Sequence, residues 1–273
     1  MALQIDPRHP VIWRTPTSVQ IGADRAIVTL DDVTVPEERL LSVLRKGISR
    51  TGLTMIAEEA GAGVDCTEGL LERLRPALRQ SGSHNGRLTP FSLAVTGTGS
   101  GASAIRSVLS GLGATIVTDV DEADKRPDLA VIVSTFDTDP RDAGAWLRED
   151  VPHLAVVFGD SEVRIGPLVE PGRGPCLHCV GRSRIDTDPY WPALASQLLG
   201  REASTEEPVT ISNVVAIVAR AVLDRFDPAS AGDRQYRLRA RGVIVDGETG
   251  EVSERRYRAH PECACREVPP AGI

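Results

Sequence analysis

Four cysteines in two short clusters set the tightest limit on how this chain can fold. Cys176-Leu177-His178-Cys179 lies in mid-sequence, and Cys263-Ala264-Cys265 lies close to the last residue. Chelating loops spaced C-x2-C and C-x-C suit a tetrahedral Zn²⁺ ion, which binds thiolates at about 2.3 Å. Four thiolates leave no open position, so the ion would be structural and would activate no water. It would tie the last residues back onto the middle of the fold, contributing on the order of 10 kcal/mol to folding. His178 and His260 flank the thiols and could replace one, but with four cysteines available they read as supporting or surface residues. The rival reading is a pair of disulfides, as in small secreted proteins. No apolar leader with a small-residue cleavage site precedes the first strands, and Cys66 would be left over.

At 273 residues the chain is long enough for two domains. Charged residues make up 25% and hydrophobic residues 41%, with no apolar run near the ~18 residues of a membrane helix, so a cytoplasmic protein without a membrane partner is expected. A formal net charge of −7, with no lysine/arginine run, disfavours a nucleic-acid partner, and 4% aromatic residues disfavour a base-stacking surface.

The first domain is expected over residues 1–80. Val11–Trp13, Ser18–Ile21 and Ala26-Ile27-Val28-Thr29-Leu30 alternate as short strands, with a turn at Gly22–Asp24. Helical spacing follows at Pro36–Arg45, Thr51–Ala60 and Thr67–Gln80, the last with Thr67 as its cap and Gly82 as its stop. Strands followed by three helices outline a winged-helix module. Its third helix mixes Glu68, Glu72, Arg73 and Arg75, unlike the basic recognition helix of a DNA binder. Ser81–Gly86 reads as a linker, and the second domain as residues 87–273.

There the pattern is α/β. Pro90–Thr96 reads as a buried strand and Ala102–Leu112 as a helix, with Gly97-Thr98-Gly99-Ser100-Gly101 between them. Further strands at Ala114–Thr118, Leu129–Ser134 and Leu154–Phe158, with a helix at Asp142–Glu149, make βαβ units and a parallel sheet. Val163–Leu168 leads into the first cysteine loop, Ile211–Phe226 is a long apolar helix, and a hairpin turns at Asp246–Gly250. Strand, Gly97-x-Gly99-x-x-Ala102, helix is the context of a nucleotide fingerprint, with Asp119 or Asp121 placed to meet a ribose hydroxyl. Any doubly wound sheet needs glycines at this turn, ligand or not. Asp119 would serve NAD equally, but no Ser/Tyr-x-x-x-Lys pair is present for an oxidoreductase, and Cys66 has no histidine nearby in sequence to activate it.

The run Gly166-Pro167-Leu168-Val169-Glu170-Pro171-Gly172-Arg173-Gly174-Pro175-Cys176, the glycine loop and His260-Pro261-Glu262-Cys263 together resemble the ThiF/MoeB-type adenylating fold. That resemblance implies ATP-dependent adenylation of a carrier protein's C-terminus. The family's Ser-Asn-Leu-x-Arg-Gln stretch is absent, and only Lys125 and Arg126 stand in a short charged turn where several fixed cations would be needed, so ATP chemistry is not expected. His9-Pro10, Gln20-Ile21-Gly22 and Gly47-x-x-Arg50-Thr51 are similar to the PqqD-like peptide-recognition domain. Joined to a degenerate ThiF-like domain, and with Arg184-Ile185-Asp186-Thr187-Asp188-Pro189-Tyr190-Trp191-Pro192, the chain resembles the leader-peptide-binding partners of azole- and azoline-modified peptide pathways. Departures are Ala102 for the third glycine and Tyr257 where that family often carries Trp.

The resemblance implies a non-catalytic subunit that holds a precursor's leader and presents it to a YcaO-type cyclodehydratase. The leader would add to the edge of Ala26–Leu30, with Leu70, Arg73, Leu74 and Leu78 forming a groove beside it. Leucines at that spacing are more often core than groove, leaving Arg73 as the one expected at the surface. Gly97, Gly99, Gly101 and Asp119 would then be a vestigial nucleotide loop. The oligomeric state stays open, although proteins of this fold commonly pair across the sheet.

Overall fold

Alternating apolar residues between Val11 and Leu30 form an antiparallel meander of β2 (Val11–Thr15), β3 (Ser18–Ile21) and β4 (Val28–Leu30), in the order β2-β3-β4. Val19, Ile21, Val28 and Leu30 point to one side and are buried, while Thr29 is exposed. This computed structural model describes residues 2–78, 88–117, 126–226 and 238–266. The chain divides into two units, Met1–Ser83 and His84–Ile273.

In the first unit, β1 (Ala2–Leu3) pairs antiparallel with β5 (Ile48–Ser49). Helix α1 (Val35–Lys46) begins with a complete capping box: Glu37 N–H bonds Thr34 Oγ1, and the Glu37 carboxylate accepts from Thr34 N–H. Helices α2 (Arg50–Glu59) and α3 (Val64–Leu74) complete the unit. Leu40, Leu44, Leu53, Leu70 and Leu74 from the three helices close over the meander as one core. Each such burial is worth roughly 1.5–3 kcal/mol.

Helix α3 starts three residues before the expected cap. Gly63 is its N-cap, and Thr67 lies inside the helix with its hydroxyl turned back onto the Gly63 carbonyl at 3.4 Å. A mid-helix threonine bonded to the residue four before it imitates a cap in sequence. Pro76 converts the end into a 3-10 turn at Arg75–Ala77. Gly82 and the expected linker at Ser81–Gly86 lie outside the described residues.

The second unit is a mixed α/β layer built on a seven-stranded sheet of order β12-β11-β10-β9-β8-β6-β7. Strands β6 (Ser92–Thr96), β7 (Thr115–Val117), β8 (Leu129–Thr135) and β9 (His153–Phe158) are parallel. Strands β10 (Glu162–Val169), β11 (Arg241–Asp246) and β12 (Val252–Arg256) continue it antiparallel. Helices α4 (Ser100–Gly111) and α8 (Pro208–Phe226) cover one face, where Ile105, Leu109, Val214, Val218 and Val222 meet Val95, Val131 and Val156. On the other face Trp146 of α5 (Pro140–Arg148) and Leu177 of α6 (Leu177–Thr187) pack on Ala94, Ala130 and Ile132. Fully buried parallel strands read as continuous apolar runs, which is why β8 and β9 stand out in the sequence.

Helices α6 and α7 (Trp191–Leu198) have no counterpart in the sequence reading. Pro175, Pro189 and Pro192 punctuate this stretch as a loop would, and α7 buries no residue, so no apolar stripe announces it. No helix among the described residues is long and apolar enough to cross a membrane.

Candidate functional site

The two cysteine loops meet in space. Cys176 Sγ lies 3.7 Å from both Cys179 Sγ and Cys263 Sγ, Cys179 Sγ lies 3.4 Å from Cys265 Sγ, and all four sulfurs fall within 4.8 Å of one another. Sulfurs at the corners of a tetrahedron with 2.3 Å metal bonds are about 3.8 Å apart, so the spacing fits a four-thiolate ion site. Cys176 is the N-cap of α6, which places Cys179 one helical turn on and on the same face. Cys176, Cys179 and Cys263 are buried with Val169 beside them.

Burial pushes the Cys176 thiol up to about 11 and raises Cys265 as well. Burial opposes ionisation of Cys179 too, but hydrogen bonds from the His260 and Cys176 backbone, together with those from the Cys265 and Cys263 thiols, bring Cys179 down to about 7. Cys179 is therefore the thiol that ionises most readily of the three, and a cation would supply what the others need. His260 is held elsewhere: its Nε2 lies 2.8 Å from Asp186 Oδ2, and its Nδ1 accepts from Glu262 N–H at 3.2 Å. His178 is exposed. Neither histidine stands in for a sulfur, and among the described residues the four cysteines are the cluster able to hold a metal.

The glycine loop joins the C-terminal end of β6 to α4. Gly97 and Gly99 have φ of +99° and +98°, a backbone region few side chains tolerate. A Cβ on Gly97 would collide with the Val133 carbonyl on β8. A Cβ on Gly101 would come within 2.7 Å of the Phe158 ring, so Gly101 lets α4 approach β9, while Ala102 at the fingerprint's last position is buried without conflict. The carboxylate of Glu206, from the loop before α8, reaches this turn: Gly101 N–H donates to Glu206 Oε1 at 2.8 Å. Asp119, Asp121 and Lys125 lie outside the described residues. Arg126 bonds the Asp150 carbonyl and carboxylate just before β8 and β9, at the N-terminal ends of these strands and away from the glycine loop.

At the end of β8, Arg164 Nη2 and Arg184 Nη1 donate to the Phe136 carbonyl at 2.6 and 3.3 Å, and Arg184 lies over the Trp191 ring. Trp191 Nε1 donates to Asp137 Oδ2 at 2.6 Å. Burial and the neighbouring Arg164 lower Arg184 to about 10. Arg184 and Trp191 thus join α6 and α7 to the sheet; Arg164 and Asp137, which complete the cluster, carry no sequence motif.

In the first unit β4 is one of the two outer strands of the meander, β2 being the other, and it is shorter than the expected Ala26–Leu30, with Ala26 and Ile27 leading into it. Gly22 N–H bonds the Pro10 carbonyl at 2.9 Å, so by antiparallel alternation Gln20 faces β2 while Val19 and Ile21 face β4. Val28 and Leu30 then spend their main-chain groups on β3, and the N–H and C=O of Thr29 point outward. The next outward carbonyl, Asp31, accepts from Arg73 Nη2 at 3.5 Å, and Arg73 Nη1 bonds Glu37 Oε1 at 3.0 Å. Arg73 therefore stands at the end of the free edge. Leu70 and Leu74 are core residues, and Leu78 packs against that core.

The architecture and site define a two-unit chain whose mixed α/β unit carries a four-cysteine cluster able to hold a metal ion. No family model matches the chain, and no curated protein matches it. Among solved structures it is similar to the heterocyclase TruD, with a TM-score of 0.71 and 16% identity over 96% of this chain and 42% of that one. It is also similar to E. coli MccB solved with MccA, with a TM-score of 0.57 and 11% identity over 97% of this chain and 100% of that one. A chain of the E. coli microcin synthetase McbBCD with pro-MccB17 bound gives a TM-score of 0.56 and 15% identity over 97% and 100%. At these identities the likeness is one of fold. The chain spans less than half the length of TruD.

Proposed function

We propose that this chain is the peptide-holding partner of a separate azoline-forming cyclodehydratase. Its first unit, read as a winged-helix, PqqD-like module, takes the leader of a ribosomally made precursor as an added strand on β4. The second unit, read as a ThiF-like domain, docks a YcaO-type enzyme that cyclises Cys, Ser or Thr in the core peptide. The observation that carries the reading is the outward-facing N–H and C=O of Thr29 on an edge strand unpaired among the described residues, with the Arg73 guanidinium at its end. Main-chain pairing there gives affinity, and the side chains flanking the edge give sequence preference. The similarity in fold to a heterocyclase and to a microcin synthetase solved with a precursor bound supports it. We also assign Zn²⁺ to the cysteine cluster, since a closed set of four thiolates suits a structural zinc ion.

Calorimetric titration with leader peptides encoded beside the gene tests the reading. Micromolar binding is expected, and Thr29→Pro should weaken it by at least about tenfold, since the outward N–H is the one lost. An edge proline with its nitrogen toward solvent leaves the β3 pairing intact, so the variant should keep its unfolding midpoint. Leader affinity unchanged in Thr29→Pro would remove strand addition from the account.

A further inference from the structure

The C-terminal ends of parallel strands are where open α/β sheets receive ligands, and the N-terminus of the first helix is where a phosphate would rest. In this chain a carboxylate of its own lies there. Glu206 Oε1 accepts from Gly101 N–H at 2.8 Å and lies 3.4 Å from Ser100 Oγ. A Cβ on Gly99 would collide with that same oxygen. The glycine that in a nucleotide loop admits a pyrophosphate here admits a glutamate.

The loop carrying Glu206 is fastened on both sides. Thr205, 3% exposed, donates its hydroxyl to the Gly159 carbonyl at 2.8 Å, and Ser204 donates to the Asp160 carbonyl at 2.7 Å, both just beyond β9. The hairpin turn presses on the same residue, for a Cβ on Gly247 would come within 2.6 Å of Thr205 Cγ2. Glu207 fastens the following residues by accepting from Thr210 N–H and Thr210 Oγ1, each at 2.6 Å. Glu206 is therefore held on the glycine loop by bonds that its own carboxylate does not make.

We propose that Glu206 is a specificity-determining residue that acts as a resident anion, closing the glycine loop to the phosphates of nucleotides. An entering phosphate would lose the Gly101 N–H and meet a like charge at contact distance, so the unit works without nucleotide. The inference is independent of the peptide-holding reading, because it concerns only residues of the second unit.

The test is calorimetric titration of the full chain with inorganic pyrophosphate and with Mg-ATP, on wild type, Glu206→Ala and Glu206→Gln. Wild type should take neither ligand, and Glu206→Ala should gain pyrophosphate affinity by at least about tenfold over the wild-type limit. Amide exchange at Gly101 should be slow in wild type and faster in Glu206→Ala. Glu206→Gln retains an oxygen for Gly101 N–H while removing the charge, so it decides by the same criterion should the alanine variant lose cooperative unfolding. Micromolar Mg-ATP binding by wild type, or a folded variant with no gain for pyrophosphate, overturns the proposal.

Discussion

Glu37 shows how much one side chain carries in the first unit. Only 7% exposed, it accepts from Thr34 N–H and Thr34 Oγ1 through one oxygen and from Arg73 through the other. It therefore closes the capping box of α1 and anchors α3 to the same point. A buried carboxylate is tolerable because each bond it accepts offsets its lost hydration. Glu37→Ala removes half of the box and leaves the Arg73 guanidinium without its carboxylate. A loss of about 1–3 kcal/mol in denaturant unfolding is expected, larger than for an exposed glutamate such as Glu68. Arg73→Lys keeps the charge but cannot reach Glu37 and the Asp31 carbonyl together in the same fork, so it should recover only part of that stability.

At the scale of elements, helix starts and turns carry a pH dependence. Asp139 is held below the ordinary carboxylate range by the Arg141 side chain and backbone N–H at the start of α5. The Thr210 hydroxyl and N–H hold Glu207 down before α8, and the N–H groups and hydroxyl around Thr249 hold Asp246 down at the hairpin turn. Each carboxyl binds its proton less tightly folded than unfolded. The stabilisation is complete above the ordinary carboxylate range and is lost as pH falls through the depressed values. Thermal midpoints measured from neutral to acid pH should fall accordingly, and Asp246→Asn should fall less steeply. The elements were also unequally legible. The run β6–glycines–α4, the apolar β8 and β9 and the hairpin that returns the last cysteines could be read from composition and spacing. α6 and α7 could not, because Pro175, Pro189 and Pro192 fall just before them or in the first turn, as they would in a loop, and α7 buries nothing. Glu206 was invisible because its partner at Gly101 is 105 residues away, and local pattern carries no information about a contact of that separation. The Gly63 start of α3 is hidden in the sequence because Thr67 mimics a cap.

At the scale of the whole molecule, each unit has its own core, and the four-cysteine cluster belongs to the second. One zinc per chain is expected by elemental analysis, and Cys263→Ser should lose it together with part of the thermal midpoint. Chelation should speed amide exchange around Cys176–Cys179 and through residues 257–266, leaving the β2-β3-β4 meander unchanged. If chelation alters neither exchange nor midpoint, the cluster is not a metal site. The spacing of the sulfurs has one more consequence, in time rather than space. Cys176 and Cys263 are separated by 87 residues. A ribosome adding roughly 5–20 residues per second would leave the first pair of thiols without the second for about 4–17 s. For that interval the nascent chain would carry two thiols without the other half of a four-thiolate site. Synthesis in zinc-poor or oxidising medium should therefore damage the protein more than the same exposure after folding.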